Sequence, residues 1–215
     1  MRRRTCLERL NRSFAGRITQ LQFIANKIAG KRGDDVDCAL AFVTIEAQTA
    51  WVGFAREFYL SCAFLHPKTI AGQRVSHHNP SIIDEYRALL YSISALKGKV
   101  WAASRIPPQA EPVWHEKRAL PLLSGGLALS NNASIISGFS YRTTFFDELP
   151  TMRNFYAHRS YGTAMKVFGI AARKYGAAKV LHPNDLVNVV FAGRVQTLIQ
   201  EWLGDMKQIG LKICQ

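Results

Sequence analysis

At 215 residues and 24.1 kDa the chain is long enough for one domain with an adequate core. It is 48% hydrophobic and 20% charged, which excludes a disordered chain, and its net charge of +13 points to polyanionic partners, chiefly nucleic acid or an anionic membrane surface. The excess is uneven: residues 1–33 hold nine Lys/Arg, Arg2, Arg3, Arg4 and Arg9 among them, against Glu8 alone, and supply +8 of the +13. A solvated basic face that aids solubility is the milder reading of the same segment.

In chain order, Leu7, Leu10, Phe14, Ile18, Leu21, Ile24 and Ile28 step by three and four. That spacing predicts an amphipathic helix over 5–29. Gly30 and Gly33 end it, and Asp34, Asp35 and Asp37 suit the dipole at the start of a second helix over 36–64. Its stripe is Val36, Leu40, Val43, Ala47, Trp51, Phe54, Phe58, Cys62 and Leu65. The two helices read as a long antiparallel pair joined by a tight loop. Residues 66–80, rich in Pro, Gly and His, form a connection, and Ser81 with Asp84 predicts a capped third helix over 82–97. Pro107, Pro108, Pro112 and Pro121 make 98–121 irregular, with Trp101 and Trp114 expected to pin it to the bundle. Residues 122–140 fit a short helix and a hairpin equally. Further helices follow over 150–175 and over 185–208, the latter on a stripe of Val187, Phe191, Val195, Leu198, Trp202 and Met206. The expected fold is all-α: one domain over 1–215, an up-down bundle of five or six helices with an irregular insertion around 98–140.

Cys6, Cys38, Cys62 and Cys214 are far apart, with no metal-ligand spacing. The expectation is therefore a reducing cytoplasm, no metal and no cofactor, with Cys38 and Cys62 as core thiols. The sequence has no GxGxxG, GxxxxGK[ST], GxSxG or HExxH. No apolar run approaches about 18 residues, so no membrane span is expected.

The stretch most suggestive of chemistry is Asp147–Tyr161, reading Asp-Glu-Leu-Pro-Thr-Met-Arg-Asn-Phe-Tyr-Ala-His-Arg-Ser-Tyr. Pro150 is compatible with a first helical turn, so a helix start near 148–151 is expected, with Arg153 within a turn of it. Asn154 and His158 share a helix face, while Arg153 lies about 140° round from His158 at about 100° per residue. An arginine, an amide and an imidazole near a helix N-terminus suit a phosphate site with a proton-transfer group in it.

Arg153-Asn154-Phe155-Tyr156-Ala157-His158 resembles the Arg-x(4–6)-His motif of HEPN domains in its Arg-Asn-x-x-x-His form. The resemblance implies a helical bundle and a metal-independent endoribonuclease, of the kind found in bacterial toxins and phage-defence effectors. It implies RNA as substrate, a homodimer with both motifs in a shared cleft, and a cognate antitoxin or defence-system partner. HEPN toxins paired with nucleotidyltransferase antitoxins often carry Tyr two residues after the His; here Arg159 and Ser160 follow, and Tyr161 stands at plus three. RNA brings its own nucleophile, the 2′-hydroxyl, so cleavage needs a base, an acid and positive charge on the phosphate. On that chemistry His158 transfers protons, Arg153 stabilises the phosphate and Asn154 positions it. Arg159, Tyr161, Arg2, Arg3, Arg4 and Arg9 are expected RNA contacts. The competing reading is a non-catalytic HEPN-like bundle that binds nucleic acid or a partner. In it Arg153 and His158 join helices, so burial of His158 separates the two.

Overall fold

The computed structural model describes residues 6–98, 111–176 and 180–215. Among them are nine α-helices and one π-helical turn, and no strand; β pairing is limited to the isolated bridges Cys6–Lys68 and Lys68–Arg74. The fold class is the all-α one expected from the 3.6-residue periodicity. The chain divides into two compact units, Met1–Ala15 with Trp51–Tyr141 and Gln208–Gln215, and Gly16–Ala50 with Arg142–Lys207.

The first unit takes in the start of α1 (Leu7–Ile28) and the end of α2 (Asp34–Leu60). Phe14 stacks on Phe54 with centroids 4.3 Å apart, and Trp51 meets Phe14 edge-on at 5.9 Å. These are aromatics of the two predicted stripes, now buried against each other. A π-helical turn, Ser61–Leu65, follows α2 and ends where His66 turns left-handed. Together α2 and this turn, Asp34–Leu65, are long and apolar enough to cross a membrane. The segment's Leu40, Val43, Ala47, Trp51, Phe54 and Phe58 are buried within the fold, while its Phe42 is exposed.

α3 (Glu85–Lys97) starts three residues later than expected, because Asp84 and not Ser81 caps it, accepting the Arg87 N–H at 2.7 Å. Trp114 packs on Tyr59 at 5.4 Å, as expected of an anchor; Trp101 lies outside the described residues, as do 99–110 of the expected insertion. From 111 onward the segment is not simply irregular. It contains α4 (Ala119–Gly126) and α5 (Asn132–Phe139), and no hairpin. Two of its glycines sit at close contacts: a Cβ on Gly126 would meet the Tyr91 hydroxyl at 2.6 Å, and one on Gly138 would meet Ile213 at 2.6 Å. The small residues that obscured the helical signal are what let these helices approach their neighbours.

The second unit contains the rest of α1, the start of α2, and α6 (Phe145–His158), α7 (Tyr161–Tyr175) and α8 (Pro183–Asn188), with the start of α9 (Leu198–Ile213). Two expectations are corrected here. The single helix over 150–175 is two helices, because Arg159 turns left-handed (φ 43°) and Ser160 caps a new start. The helix over 185–208 is also two, because Val189 is extended (ψ 143°) and Gly193 has φ 79°. The side chain of Asn188 donates to the carbonyls of Ile28 and Lys31 at 3.1 and 2.9 Å, a local alternative to continuing the helix. Val195, assigned to the apolar stripe, is accordingly exposed. Cys62 is buried as expected, whereas Cys38 is exposed and is no core thiol.

Candidate functional site

α6 carries the motif, and its two faces differ. One face is anchored. Met152, Phe155 and Tyr156 are buried, and the Tyr156 hydroxyl donates to Asn184 Oδ1 at 2.7 Å. Asn184 in turn donates to Asp37 at the start of α2. Burial, with the Asp37 charge adding to it, pushes the Tyr156 phenol far above its ordinary value, so it stays a neutral donor. Glu148 is also fully buried. The Lys174 ammonium stands 3.1 Å from it and the Tyr175 hydroxyl donates to it at 2.8 Å, so the buried carboxylate keeps a counter-charge. Burial raises the Tyr175 phenol too, against the lowering hydrogen bond with Thr144.

The opposite face is open. Thr151, Asn154 and His158, spaced three and four along α6, line a cavity of about 290 Å³ together with Thr163 and Lys166 of α7. Asn154 and His158 are exposed, and neither side chain makes a hydrogen bond or ion pair among the described residues. A second cavity of about 420 Å³ shares Thr151 and Lys166 and continues along α7 past Met165, Gly169 and Ile170 to Arg173.

The helix positions differ from expectation in one respect that bears on the chemistry. α6 begins at Phe145, so Pro150 sits in its interior and not in its first turn, and Arg153 is far from the helix start. The helix start that does reach the cavity is that of α7. Ser160 accepts the Thr163 N–H at 3.2 Å, and the Thr163 hydroxyl returns to the Ser160 backbone, closing a capping box. Thr163 lines the cavity from this first turn, so the positive end of the α7 dipole lies at the cavity wall.

The structure brings together Asn154 and His158 but leaves Arg153 out of the cavity lining, exposed on the adjacent flank of α6. Arg159 is exposed at the left-handed turn between the helices, and Tyr161 is 82% exposed at the head of α7. Arg9 is exposed on α1 in the first unit, and Arg2, Arg3 and Arg4 lie outside the described residues. The sequence reading missed Thr151, Thr163, Lys166 and Arg173. A signal for them was present: from Leu149 to Asn184 the chain has no Asp or Glu, but has Arg153, Arg159, Lys166, Arg173, Lys174 and Lys179. The larger excess over residues 1–33 outweighs it in the net charge.

No family model, curated protein or solved structure matches the chain.

Proposed function

We propose that this chain is a metal-independent endoribonuclease of the HEPN type, acting as a homodimer on RNA. One observation carries the reading. The motif's Asn154 and His158 open into a single cavity with Lys166, and His158 is exposed, with no partner among the described residues. A histidine serving only to join helices would be buried and bonded, and this one is neither. An accessible imidazole is the side chain best suited to accept the 2′-hydroxyl proton or to protonate the leaving 5′-oxygen near neutral pH. Attack of the 2′-oxygen on phosphorus forms one P–O bond and breaks the bond to the 5′-oxygen, leaving a 2′,3′-cyclic phosphate and a 5′-hydroxyl. Lys166 and the α7 dipole suit the charge on the phosphate in flight.

One cavity holds one imidazole, whereas the reaction uses a base and an acid. Two copies with apposed motifs supply both, and supply a place for Arg153, which flanks its own cavity. The role of a toxin or phage-defence effector in the cytoplasm, held in check by a cognate partner, belongs to the same proposal and rests on the motif resemblance alone. The position of Arg153 also favours a second reading, a bundle of the same family that binds nucleic acid without cutting it. Incubation of the purified protein with total RNA in EDTA, beside His158→Ala, separates them. The ribonuclease reading expects cleavage by the wild type that the variant lacks. Cleavage surviving His158→Ala at the wild-type rate ends it. Light scattering tests the dimer, and a monomer with full activity at tens of micromolar would refute it.

A further inference from the structure

The two cavities beside α6 and α7 share Thr151 and Lys166, so they form one groove that runs from His158 past Lys166 to Arg173. Its walls are stripes of two helices: Thr151, Asn154 and His158 on α6, and Thr163, Lys166, Ile170 and Arg173 on α7. Lys166 and Arg173 are seven residues apart, which is two turns and about 10 Å along the helix. The Arg173 guanidinium lies over Gly169, since a Cβ there would sit 3.7 Å from both terminal nitrogens. The head group is therefore turned back along the groove towards Lys166.

The charges in this groove are unspent. Neither Lys166 nor Arg173 has an ion pair among the described residues, although the neighbouring Lys174 is committed to Glu148 at 3.1 Å and to Asp147 at 3.9 Å. No carboxylate among the described residues lines the groove. Met165 lines the groove and is exposed, and Tyr161, also exposed, stands one turn before it on α7 and so on the same side of the helix. A line of cations beside an exposed aromatic is the combination that holds a single strand, with ammonium and guanidinium groups on the phosphates and a base stacked on the ring. A duplex offers no free base face to Tyr161, and a lipid surface would present headgroups to a flat face instead of a groove.

We propose that the α6–α7 groove is a single-strand nucleic-acid track, in which Lys166 and Arg173 each hold a phosphate and Tyr161 stacks a base. This rests on the ribonuclease reading in one respect: the strand so held is the one presented to His158. Arg173 then sets affinity and register alone, whereas Lys166, which also faces the phosphate in flight, bears on both affinity and rate. Proton transfer remains with His158.

The test uses fluorescence anisotropy with a short 2′-O-methyl oligoribonucleotide, which binds but lacks the nucleophile and so cannot be cut. The full-length wild type, Lys166→Gln/Arg173→Gln, Tyr161→Ala and His158→Ala are titrated over a salt series. Each phosphate released should lower the log–log salt slope by about 0.7, so the double variant should lose about 1.4. Tyr161→Ala should weaken binding about tenfold, the scale of one stacked base, with little change of slope. His158→Ala should bind like the wild type. All the substituted side chains are exposed, so unaltered melting temperatures are expected and serve as the folding control. A double variant with wild-type slope and affinity overturns the track. It leaves the ribonuclease reading intact if the wild type, and not His158→Ala, still cuts RNA. The reverse result, a lost slope in a protein that cuts no RNA, supports the track and counts against the ribonuclease. A wild type that prefers duplex, or that binds phosphatidylserine vesicles through Lys166 and Arg173 but not the oligonucleotide, overturns the proposal.

Discussion

Arg56 and Lys166 are both cations on helices that touch solvent, and the fold treats them in opposite ways. Arg56, in the first unit, donates to Glu111 at 2.8 and 3.1 Å and to Glu85 at 3.4 Å, with Glu57 at 3.5 Å. Trp114 adds a hydrogen bond to Glu111 at 3.3 Å. Three carboxylates around one guanidinium leave nothing for a ligand. Lys166, in the second unit, has no ion pair among the described residues, and the cavity it lines holds no carboxylate. The first cluster spends its charge on the structure, tying α2 and α3 to the segment before α4. The second keeps its charge unspent beside an exposed imidazole. Net charge does not distinguish the two; pairing does.

The comparison can be broken by substitution, and the largest effect expected is on catalysis. His158→Ala should lower RNA cleavage in EDTA by about 10²–10⁴-fold, the usual contribution of a positioned proton-transfer group, with its melting temperature unchanged. On the proposed mechanism Arg153→Ala should cost a comparable factor, and the pair should be less than additive if both groups act on one transition state. Asn154→Ala should be milder. A wild-type cleavage rate in His158→Ala would end the proposed reading.

Arg56→Ala should do the reverse. It should cost about 1–3 kcal/mol of stability by leaving three carboxylates together without their cation. RNA cleavage should be unchanged at temperatures where the variant is folded. Thermal unfolding followed by circular dichroism checks it, and an unaltered midpoint would show that the cluster contributes nothing net.

A smaller effect concerns pH. Burial pushes the Glu111 carboxyl up, but hydrogen bonds from Arg56 and Trp114, with the Arg56 charge, hold it below its ordinary value overall. A carboxylate depressed in the folded state stabilises the fold fully above its unfolded value near about 4.3, and that contribution is lost as pH falls through the folded value. The difference in melting temperature between wild type and Glu111→Gln should therefore be widest at neutral pH and close in acid below about pH 4. A difference that stays constant with pH would assign the effect to packing.

The smallest expected effect sharpens the contrast at one residue. Arg159 is held left-handed at φ 43°, where a Cβ costs about 1 kcal/mol. Arg159→Gly should raise stability by up to about 1 kcal/mol while weakening RNA binding through the lost charge. Gains in both stability and affinity would show that Arg159 does not meet RNA.

How far the sequence could be read depends on the range of the interaction. The long amphipathic stripes of α1 and α2 were legible because burial of Leu21, Leu40, Trp51 and Phe54 follows from a repeat written in the chain itself. The pairing of Asn154 with His158 on one face was legible for the same reason. The break between α6 and α7 was not, because it depends on a non-glycine residue taking a left-handed turn. A capping box in which Thr163 takes the place usually held by Glu or Gln gives only a faint signal of it. The helices α4 and α5 were hidden by glycines whose purpose, close approach to Tyr91 and Ile213, appears only once those partners are in place.

By itself, then, the sequence determined the helical class, the basic character and the face shared by Asn154 and His158, all of which are local periodicities or sums. Only the tertiary structure decided that Lys166 and Thr163 complete the cavity, that Arg153 stands outside it and that Arg173 continues the groove. The physical reason is that a cavity between two helices is set by how they pack and where the chain turns, and neither is written in the spacing of either helix alone.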